Sequence, residues 1–310
     1  DAPGRPGDTA LDASDSSRPF SIELADPQTR TMEIGIRVTA DRGPVHSLIA
    51  VTPVPIPWPE QKVEVLEQSV SPGAEARLRT VDGAAGQLRL AVRALRAGQS
   101  AEAVYRFKIT RYRQQFRGPA ERLVVPERMP REVRRYLTPS PGIESRHASI
   151  RRLASDLARR EETAWQRARR MHQWMYENVE YTDGAFKGAL RAKVDGTGDC
   201  EERAALFIAL CRASGIPART VWVPGHCYAE FYLQDDQERS HWIPAQSAGP
   251  PWFGEMNDAR PILQKGDRFR TPERPGELLR YVHNWLRASG PVDAEFILRE
   301  VDAHARQTGG

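Results

Sequence analysis

Three side chains in the second half of the sequence have the types and the order of a nucleophilic cysteine site. Cys200 follows a glycine-rich turn, His226 opens a segment of alternating residues, and Gln246 ends the next such segment. The thiolate is the reactive form of cysteine, and a neighbouring imidazole can take the thiol proton. A carboxamide can in turn orient the imidazole. The three residues together predict attack of a thiolate on an acyl group.

The helix expected after the turn has recognisable signals at both ends. Asp199 is predicted to be its N-cap, and Glu202 completes a capping box three residues later. Gly215 is expected to end the helix in the left-handed conformation. Cys200 is then the first helical residue, where the helix dipole favours a thiolate. The alternative is that Cys200 is a small buried core residue. The helix is predicted to have one apolar face, formed by Leu206, Ala209, Leu210 and Ala213.

Two β-strands are predicted to bring His226 and Gln246 together. Residues 226–233 alternate, residues 235–239 are turn-like, and residues 242–246 follow. A loop centred on Asp236 places Gln246 directly opposite His226, with Cβ atoms about 5 Å apart. A slip of one residue would move Gln246 to the other face of the sheet. The same alternation predicts that Cys227 faces away from His226.

Four motifs in this region resemble the transglutaminase-like cysteine-enzyme superfamily. They are Gly198-Asp199-Cys200, Gly215-Ile216-Pro217-Ala218-Arg219, His226-Cys227-Tyr228-Ala229-Glu230 and Trp242-Ile243-Pro244-Ala245-Gln246. The resemblance covers about residues 148–290. Gln246 stands where the family usually has aspartate. A neutral amide still orients an imidazole, but it stabilises the imidazolium less. Asp258 is the alternative third residue.

The resemblance implies a function and one supporting residue. The implied enzyme is a cysteine-dependent hydrolase or acyl transferase that acts on a peptide or carboxamide bond through a thioester. Without a visible calcium loop or regulatory domain, hydrolysis is favoured over transfer to an amine. Tyr181 is the best match for the family's aromatic residue near the thiol, where its hydroxyl would help to hold an oxyanion; the alternative is a core tyrosine. The alternative function is a weak or inactive module that binds a protein or cell-envelope partner.

Composition narrows the classes of partner. The net charge is +4, and no block of like charge indicates a nucleic-acid partner. No apolar run approaches the roughly 18 residues of a membrane-spanning helix. Three cysteines without metal-ligand spacing predict neither a disulfide scaffold nor a metal site, and no cofactor is expected. The substrate expected is therefore a peptide or protein. Residues 1–18 are polar and are expected to be a flexible tail, which fits a secreted or periplasmic chain whose leader has been removed.

The predicted fold class is α+β. An N-terminal β-sandwich is followed by a papain/transglutaminase-like α+β domain, with the nucleophile at a helix N-terminus that packs on an antiparallel sheet. Seven short strands between turns predict the sandwich. His172 is expected on the polar face of a helix, and residues 275–286 are expected to form a terminal helix. The predicted divisions are 1–18 (tail), 19–117 (β-sandwich), 118–147 (proline-rich connector), 148–290 (transglutaminase-like domain) and 291–310 (C-terminal tail).

Overall fold

The computed structural model describes residues 20–161 and 163–302. The predicted tail 1–18 and residues 303–310 lie outside this part. The first half contains strands β1 (Ser21–Ala40), β2 (Val45–Val54), β3 (Gln61–Val70), β4 (Ala74–Val81), β5 (Ala85–Leu95) and β6 (Ser100–Arg117). The connecting region contains a 3-10 turn (Ala120–Arg122), helix α1 (Arg131–Arg134) and a second 3-10 turn (Arg135–Leu137).

The second half alternates helices and strands. Its helices are α2 (Ala148–Ala158), α3 (Ala164–Asn178), α4 (Ala189–Asp195) and α5 (Cys200–Ala213). Its strands are β7 (Glu180–Tyr181), β8 (Thr197–Gly198), β9 (Ala218–Val223), β10 (His226–Gln234), β11 (Ser240–Ala245), β12 (Glu255–Met256), β13 (Gln264–Lys265), β14 (Trp285–Arg287) and β15 (Val292–Val301). The α+β class predicted from the sequence is confirmed.

Two antiparallel sheets form the sandwich, and one of them continues into the second half of the chain. The first sheet has the order β12-β6-β1-β15, with β3 on β6, and the second has the order β11-β10-β9-β13-β5-β2-β14, with β4 on β5. Alternating apolar side chains such as Ile34, Leu88 and Phe107 fill the space between the sheets. Gln264 of β13 pairs with both β5 and β9. The predicted sandwich and the predicted transglutaminase-like domain therefore share a sheet.

Helix α5 lies at the centre of the second half. Its residues from Glu202 to Arg212 are buried, and it packs against β10 and the helices α2, α3 and α4. The predicted apolar face is buried at Leu206, Ala209 and Leu210, and the other sides of the helix are buried as well. His172 of α3 is also buried rather than polar-faced. No helix in the described residues is long and apolar enough to cross a membrane.

The C-terminal part differs most from the prediction. Val292–Val301 is not a tail, because it pairs along β1 from Thr31 opposite Val301 to Ala40 opposite Val292. Residues 275–286 do not form a helix. Leu279 instead bridges to Phe269, and Trp285 pairs with Val51 of β2. The apolar residues of this segment contact strands that are distant in sequence, which overrides their helix-like spacing. The predicted connector contributes Leu123, Val133, Tyr136 and Ile143 to the buried residues.

Candidate active site

The start of α5 is fixed by the predicted capping box. The Asp199 carboxylate accepts hydrogen bonds from the backbone N–H groups of Glu201 (2.7 Å) and Glu202 (3.4 Å). The Glu202 carboxylate accepts the N–H of Asp199 at 3.0 Å. Gly198 leaves the room for this arrangement, because a Cβ there would lie 2.5 Å from Cβ of Glu202. Cys200 is thereby held as the first residue of the helix.

Hydrogen-bond donors converge on the Cys200 sulfur. The hydrogen bond from the S–H of Cys227 has the largest effect on the pKa of the Cys200 thiol and lowers it. Burial raises this pKa, whereas the His226 ring and the backbone N–H of Cys227 lower it further. Together they lower the pKa of the Cys200 thiol to about 5. The side chain is partly exposed, whereas Cys211 and Cys227 are buried. Cys200 is therefore an accessible thiolate at neutral pH, the state that a nucleophile requires.

Gln246 defines the orientation of the His226 ring. Its Oε1 lies 2.8 Å from Nε2 of His226 and also accepts the backbone N–H of Ser247 at 3.0 Å. A backbone N–H can only donate, so the shared atom of Gln246 is the amide oxygen. Nε2 of His226 must then carry the proton that it donates. The other ring nitrogen, Nδ1, is left for the thiol.

The pairing register of β10 and β11 differs from the prediction by two residues. Glu230 lies opposite Pro244 and Ala229 opposite Ala245, whereas a loop centred on Asp236 would place Trp242 opposite Glu230. Gln246 is therefore not directly opposite His226. A shift of two residues preserves the face of each side chain. The side chains of His226 and Gln246 consequently still meet, as diagonal rather than direct neighbours.

The backbone of Gln246 is held by helix α3 and by the loop that follows β11. Nε2 of His172 lies 2.6 Å from the carbonyl oxygen of Gln246, and the hydroxyl of Tyr176 lies 3.3 Å from the same oxygen. The N–H of Gln246 donates to the carbonyl of Trp252 at 2.9 Å. Burial lowers the pKa of His172 to about 4. His172 is therefore a neutral donor that fixes Gln246, a role that the sequence did not indicate.

Cys227 is the second residue that the sequence analysis missed. It shares a face of β10 with Ala229 and Phe231, which belong to the same core cluster as Leu206 of α5, and its carbonyl accepts the Ser247 hydroxyl at 2.7 Å. Burial and its hydrogen bond to Cys200 raise its pKa well above the usual range. It stays protonated and can only donate to the thiolate. The signal was present in the sequence, because Cys227, Ala229, Phe231 and Leu233 make one face of β10 apolar, and such a face has to be covered by another element.

Tyr181 is brought near Cys200 by a short parallel pairing. Strand β7 pairs with β8, so Tyr181 lies beside Gly198. Its side chain is 48% exposed, which excludes the alternative of a core tyrosine. The hydroxyl donates to Asp183 Oδ1 at 3.1 Å. The buried part of the side chain, this hydrogen bond, and the negative charges of Asp183 and Cys200 raise the pKa of Tyr181 to about 12.

Asp258 has a different partner from the one that a third catalytic residue requires. Its carboxylate accepts hydrogen bonds from the backbone N–H and from Nε of Arg260, at 2.9 and 3.0 Å. Burial opposes ionisation, but these bonds and the charge of His226 hold the pKa of Asp258 below its usual range. Arg260 also reaches the carbonyl of Pro224 at 3.3 Å. Asp258 therefore contributes a negative charge near His226, while the ring hydrogen bond goes to Gln246.

The remaining charged residues of the resembling motifs form a buried cluster. Glu230 accepts Nε and Nη2 of Arg219 at 3.0 and 2.9 Å and pairs with Lys265 at 2.5 Å. Lys265 also pairs with Glu60, in the loop before β3. The Arg219 guanidinium lies 3.9 Å from the centre of the Trp242 ring. This cluster joins the strand that carries His226 to the sandwich.

Residues 20–161 and 163–302 contain no group of three or more His, Cys, Asp or Glu side chains arranged to hold a metal ion.

Two solved structures and one family model are similar to this chain. The match to the structure of a "Putative Cysteine Protease from Cytophaga hutchinsonii" covers 91% of this chain and 93% of that protein's chain. The identity is 17% and the TM-score is 0.59, which shows a shared fold. The match to the periplasmic domain of TgpA from Pseudomonas aeruginosa covers 76% of this chain and 91% of that protein's chain, with 16% identity and a TM-score of 0.36. No curated protein matches the chain. The family model described as "Transglutaminase-like superfamily" matches residues 151–247, and the resemblance predicted from the sequence is confirmed for this segment.

Proposed function

We propose that the chain is a cysteine-dependent hydrolase or acyl transferase that acts on a peptide or carboxamide bond. Cys200 attacks the carbonyl carbon as a thiolate, and the imidazolium of His226 protonates the leaving amine. The resulting thioester passes to water, which gives a protease or amidase, or to an amine, which gives a cross-link. His226 then removes the proton from the attacking water or amine. The observation that carries the proposal is the bond from His226 Nε2 to Gln246 Oε1, which leaves Nδ1 for the thiol.

The negative oxygen of the tetrahedral intermediate needs hydrogen-bond donors. Asp199 caps the N–H groups of Glu201 and Glu202, and the N–H of Cys200, in the same first turn, is the donor that we assign to the oxyanion. The Tyr181 hydroxyl is the second donor that we assign. It donates to Asp183 in the structure, so it reaches the oxyanion only by exchanging that partner.

Trapping of the thioester tests the proposal. The protein is incubated with a peptide digest of casein, quenched in acid and analysed by mass spectrometry for an acyl group on Cys200. Cleaved peptides are scored in the same samples, and a fluorescent primary amine added in parallel scores transfer. We expect Cys200-linked acyl groups and mainly hydrolysis products.

Two variants make the result specific. Cys200→Ala should abolish both signals with little loss of stability, because the residue lies at a helix start. Cys211→Ala is the matched control: it removes a buried thiol from the same helix and should reduce stability while it preserves turnover. Full activity of Cys200→Ala on an amide would overturn the cysteine mechanism. An absent thioester together with an ordinary pKa of Cys200 would favour the inactive binding module.

A further inference from the structure

A cleft of about 610 Å³ lies at the end of α5 that is opposite to Cys200. It is lined by Arg151, Arg152 and Ser155 of α2, Arg167 of α3 and Ser214 after α5, with small alanine side chains between them. None of the residues that line it is acidic or aromatic. Helix α5 has 14 residues, so a rise of about 1.5 Å per residue places the cleft about 20 Å from the thiol.

The three arginines of this cleft have no acidic partner. Within residues 20–161 and 163–302, the side chains of Arg151, Arg152 and Arg167 form no ion pair and no hydrogen bond. The Nε of Arg167 is buried and has no acceptor among these residues. A buried donor without an acceptor is unfavourable. An anion bound in the cleft would supply acceptors to these guanidinium groups.

The acidic residues of the same two helices are engaged elsewhere. Asp156 is the only acidic residue of α2, and its carboxylate pairs with Arg159 at 2.6 Å. Glu177 is the only one of α3, and its carboxylate lies 3.4 Å from Arg170. The positive charge of the cleft is therefore not neutralised by the helices that carry it.

Capping of helix α5 does not account for these arginines. Basic side chains often bind the last carbonyls of a helix, but here the backbone binds them. The carbonyls of Leu210 and Cys211 accept the N–H groups of Ser214 and Ile216, at 3.1 and 2.9 Å. The negative end of the helix dipole, about half an elementary charge, offsets only a small part of three guanidinium groups.

An acidic peptide segment is the occupant that fits these features. The lining residues of α2 run from Ala148 to Ala158, which is about 15 Å of helix. This length matches about four or five extended residues and exceeds that of a single phosphate group. The planar guanidinium group binds carboxylates through two parallel hydrogen bonds. Single-stranded nucleic acid is typically bound with aromatic stacking surfaces, which the lining residues do not provide.

We propose that this cleft is an exosite, a binding site away from the reacting atoms, for an acidic segment of the peptide or protein substrate. The inference rests on the proposed function for the role of that segment as part of a substrate, whereas its binding requires no catalysis. The distance of about 20 Å to the thiol means that at least about six extended residues separate the acidic segment from the scissile bond.

The test is fluorescence anisotropy with a labelled ten-residue peptide of alternating Glu and Gly, and with the same peptide carrying Gln in place of Glu. The protein is the full chain with Cys200→Ala, which lacks the proposed nucleophile. The Glu peptide should bind at least about tenfold more tightly than the Gln peptide, and added salt should weaken its binding. Adding Arg151→Gln/Arg167→Gln should weaken the Glu peptide about tenfold, or about threefold for each lost charge-assisted contact.

Arg93→Gln/Arg96→Gln is the matched control. It removes the same net charge from two exposed residues at the end of β5 and should leave the affinity unchanged. Ser155→Asp places a carboxylate on the wall of the cleft and should also weaken binding of the Glu peptide, which keeps the test valid if the arginine variant does not fold. In the parent with an intact Cys200, Arg151→Gln/Arg167→Gln should slow cleavage of acidic casein peptides about tenfold and spare neutral ones.

Equal affinities for the two peptides would overturn the proposal, as would an unchanged affinity in Arg151→Gln/Arg167→Gln or Ser155→Asp. Equal slowing of acidic and neutral peptides would refute the role in substrate selection. Tighter binding of a labelled ten-nucleotide thymidine strand than of the Glu peptide would make nucleic acid the occupant and overturn it as well. A thioester on Cys200 without binding of the Glu peptide would refute the exosite alone. Binding without any thioester would support the cleft and contradict the proposed function.

Discussion

The amide oxygen of Gln246 lies 2.8 Å from Nε2 of His226 and 3.0 Å from the N–H of Ser247. The second contact identifies the oxygen, and the oxygen in turn fixes the tautomer of the histidine. A neutral amide thus gives the ring the same orientation that a carboxylate would give. What it lacks is the negative charge that stabilises an imidazolium.

This geometry predicts the effects of two changes at Gln246. Gln246→Ala should lower turnover by about tenfold or more, because the ring loses its partner and its tautomer. Gln246→Glu keeps the reach and adds the charge, which raises the pKa of the imidazole and favours the thiolate–imidazolium pair. Turnover should be retained or rise, and the pH midpoint of Cys200 alkylation by iodoacetamide should fall. Steady-state turnover and alkylation measured on the same preparations check both expectations.

The turnover of the Asp258→Asn variant is to be compared with that of Gln246→Ala. The carboxylate of Asp258 is occupied by Arg260, so we expect a smaller loss of turnover than in Gln246→Ala. Parent-like turnover in Gln246→Ala combined with inactive Asp258→Asn would make Asp258 the third residue of the site.

Cys227 should prove necessary for the low pKa of Cys200. Its S–H is the largest contribution to the stabilisation of the thiolate. Cys227→Ala removes that donor and should raise the alkylation midpoint of Cys200 by about one unit. Cys227→Ser keeps a donor at the same position and should remain near the parent. Identical midpoints in the alanine variant and the parent would show that the backbone N–H and His226 suffice.

The local parts of the site were predictable from the sequence, whereas its long-range contacts were not. The capping box and Gly215, which has φ +79°, depend on neighbouring residues and were predicted correctly. The face shared by His226 and Gln246 was also correct, because alternation fixes it. The register was wrong by two residues, because the turn closes with the N–H of Asp235 on the carbonyl of Arg239 and its centre is therefore later than predicted.

Contacts between distant segments explain the other differences. Alternation treats a strand as having one buried face, but α5 covers the second face of β10 and brings Cys227 to the thiol. Arg280 lies in a segment whose apolar spacing predicted a helix, and only the pairing of neighbouring residues with Phe269 and Val51 places its Nη1 3.1 Å from Oε2 of Glu201. Strand β15 does carry a local signal, because Val292, Ala294 and Phe296 alternate with charged residues, but its partner β1 lies at the other end of the chain.

The lowered pKa of His172 predicts that the folded protein loses stability in acid. Its pKa is about 4 in the folded state and about 6.5 when unfolded. Between these values the unfolded chain binds more protons, so the free energy of unfolding falls as the pH drops from 6.5 towards 4. From pH 7 to pH 5 this contribution is about 2 kcal/mol. Urea unfolding at both pH values should show a smaller decrease in His172→Gln, whose amide can still donate to the carbonyl of Gln246. An equal decrease in the variant and the parent would mean that His172 does not titrate as described.

The central claim is that Cys200 and His226 form a thiolate–imidazolium pair. The most direct test is the rate of Cys200 alkylation by iodoacetamide from pH 4 to pH 9, in the parent and in His226→Ala. We predict a midpoint near 5 in the parent, in line with the lowered pKa of the thiol, and a higher midpoint in the variant. A parent midpoint at about 8.5 or above, or one that His226→Ala leaves unchanged, would contradict the pair and with it the proposed mechanism.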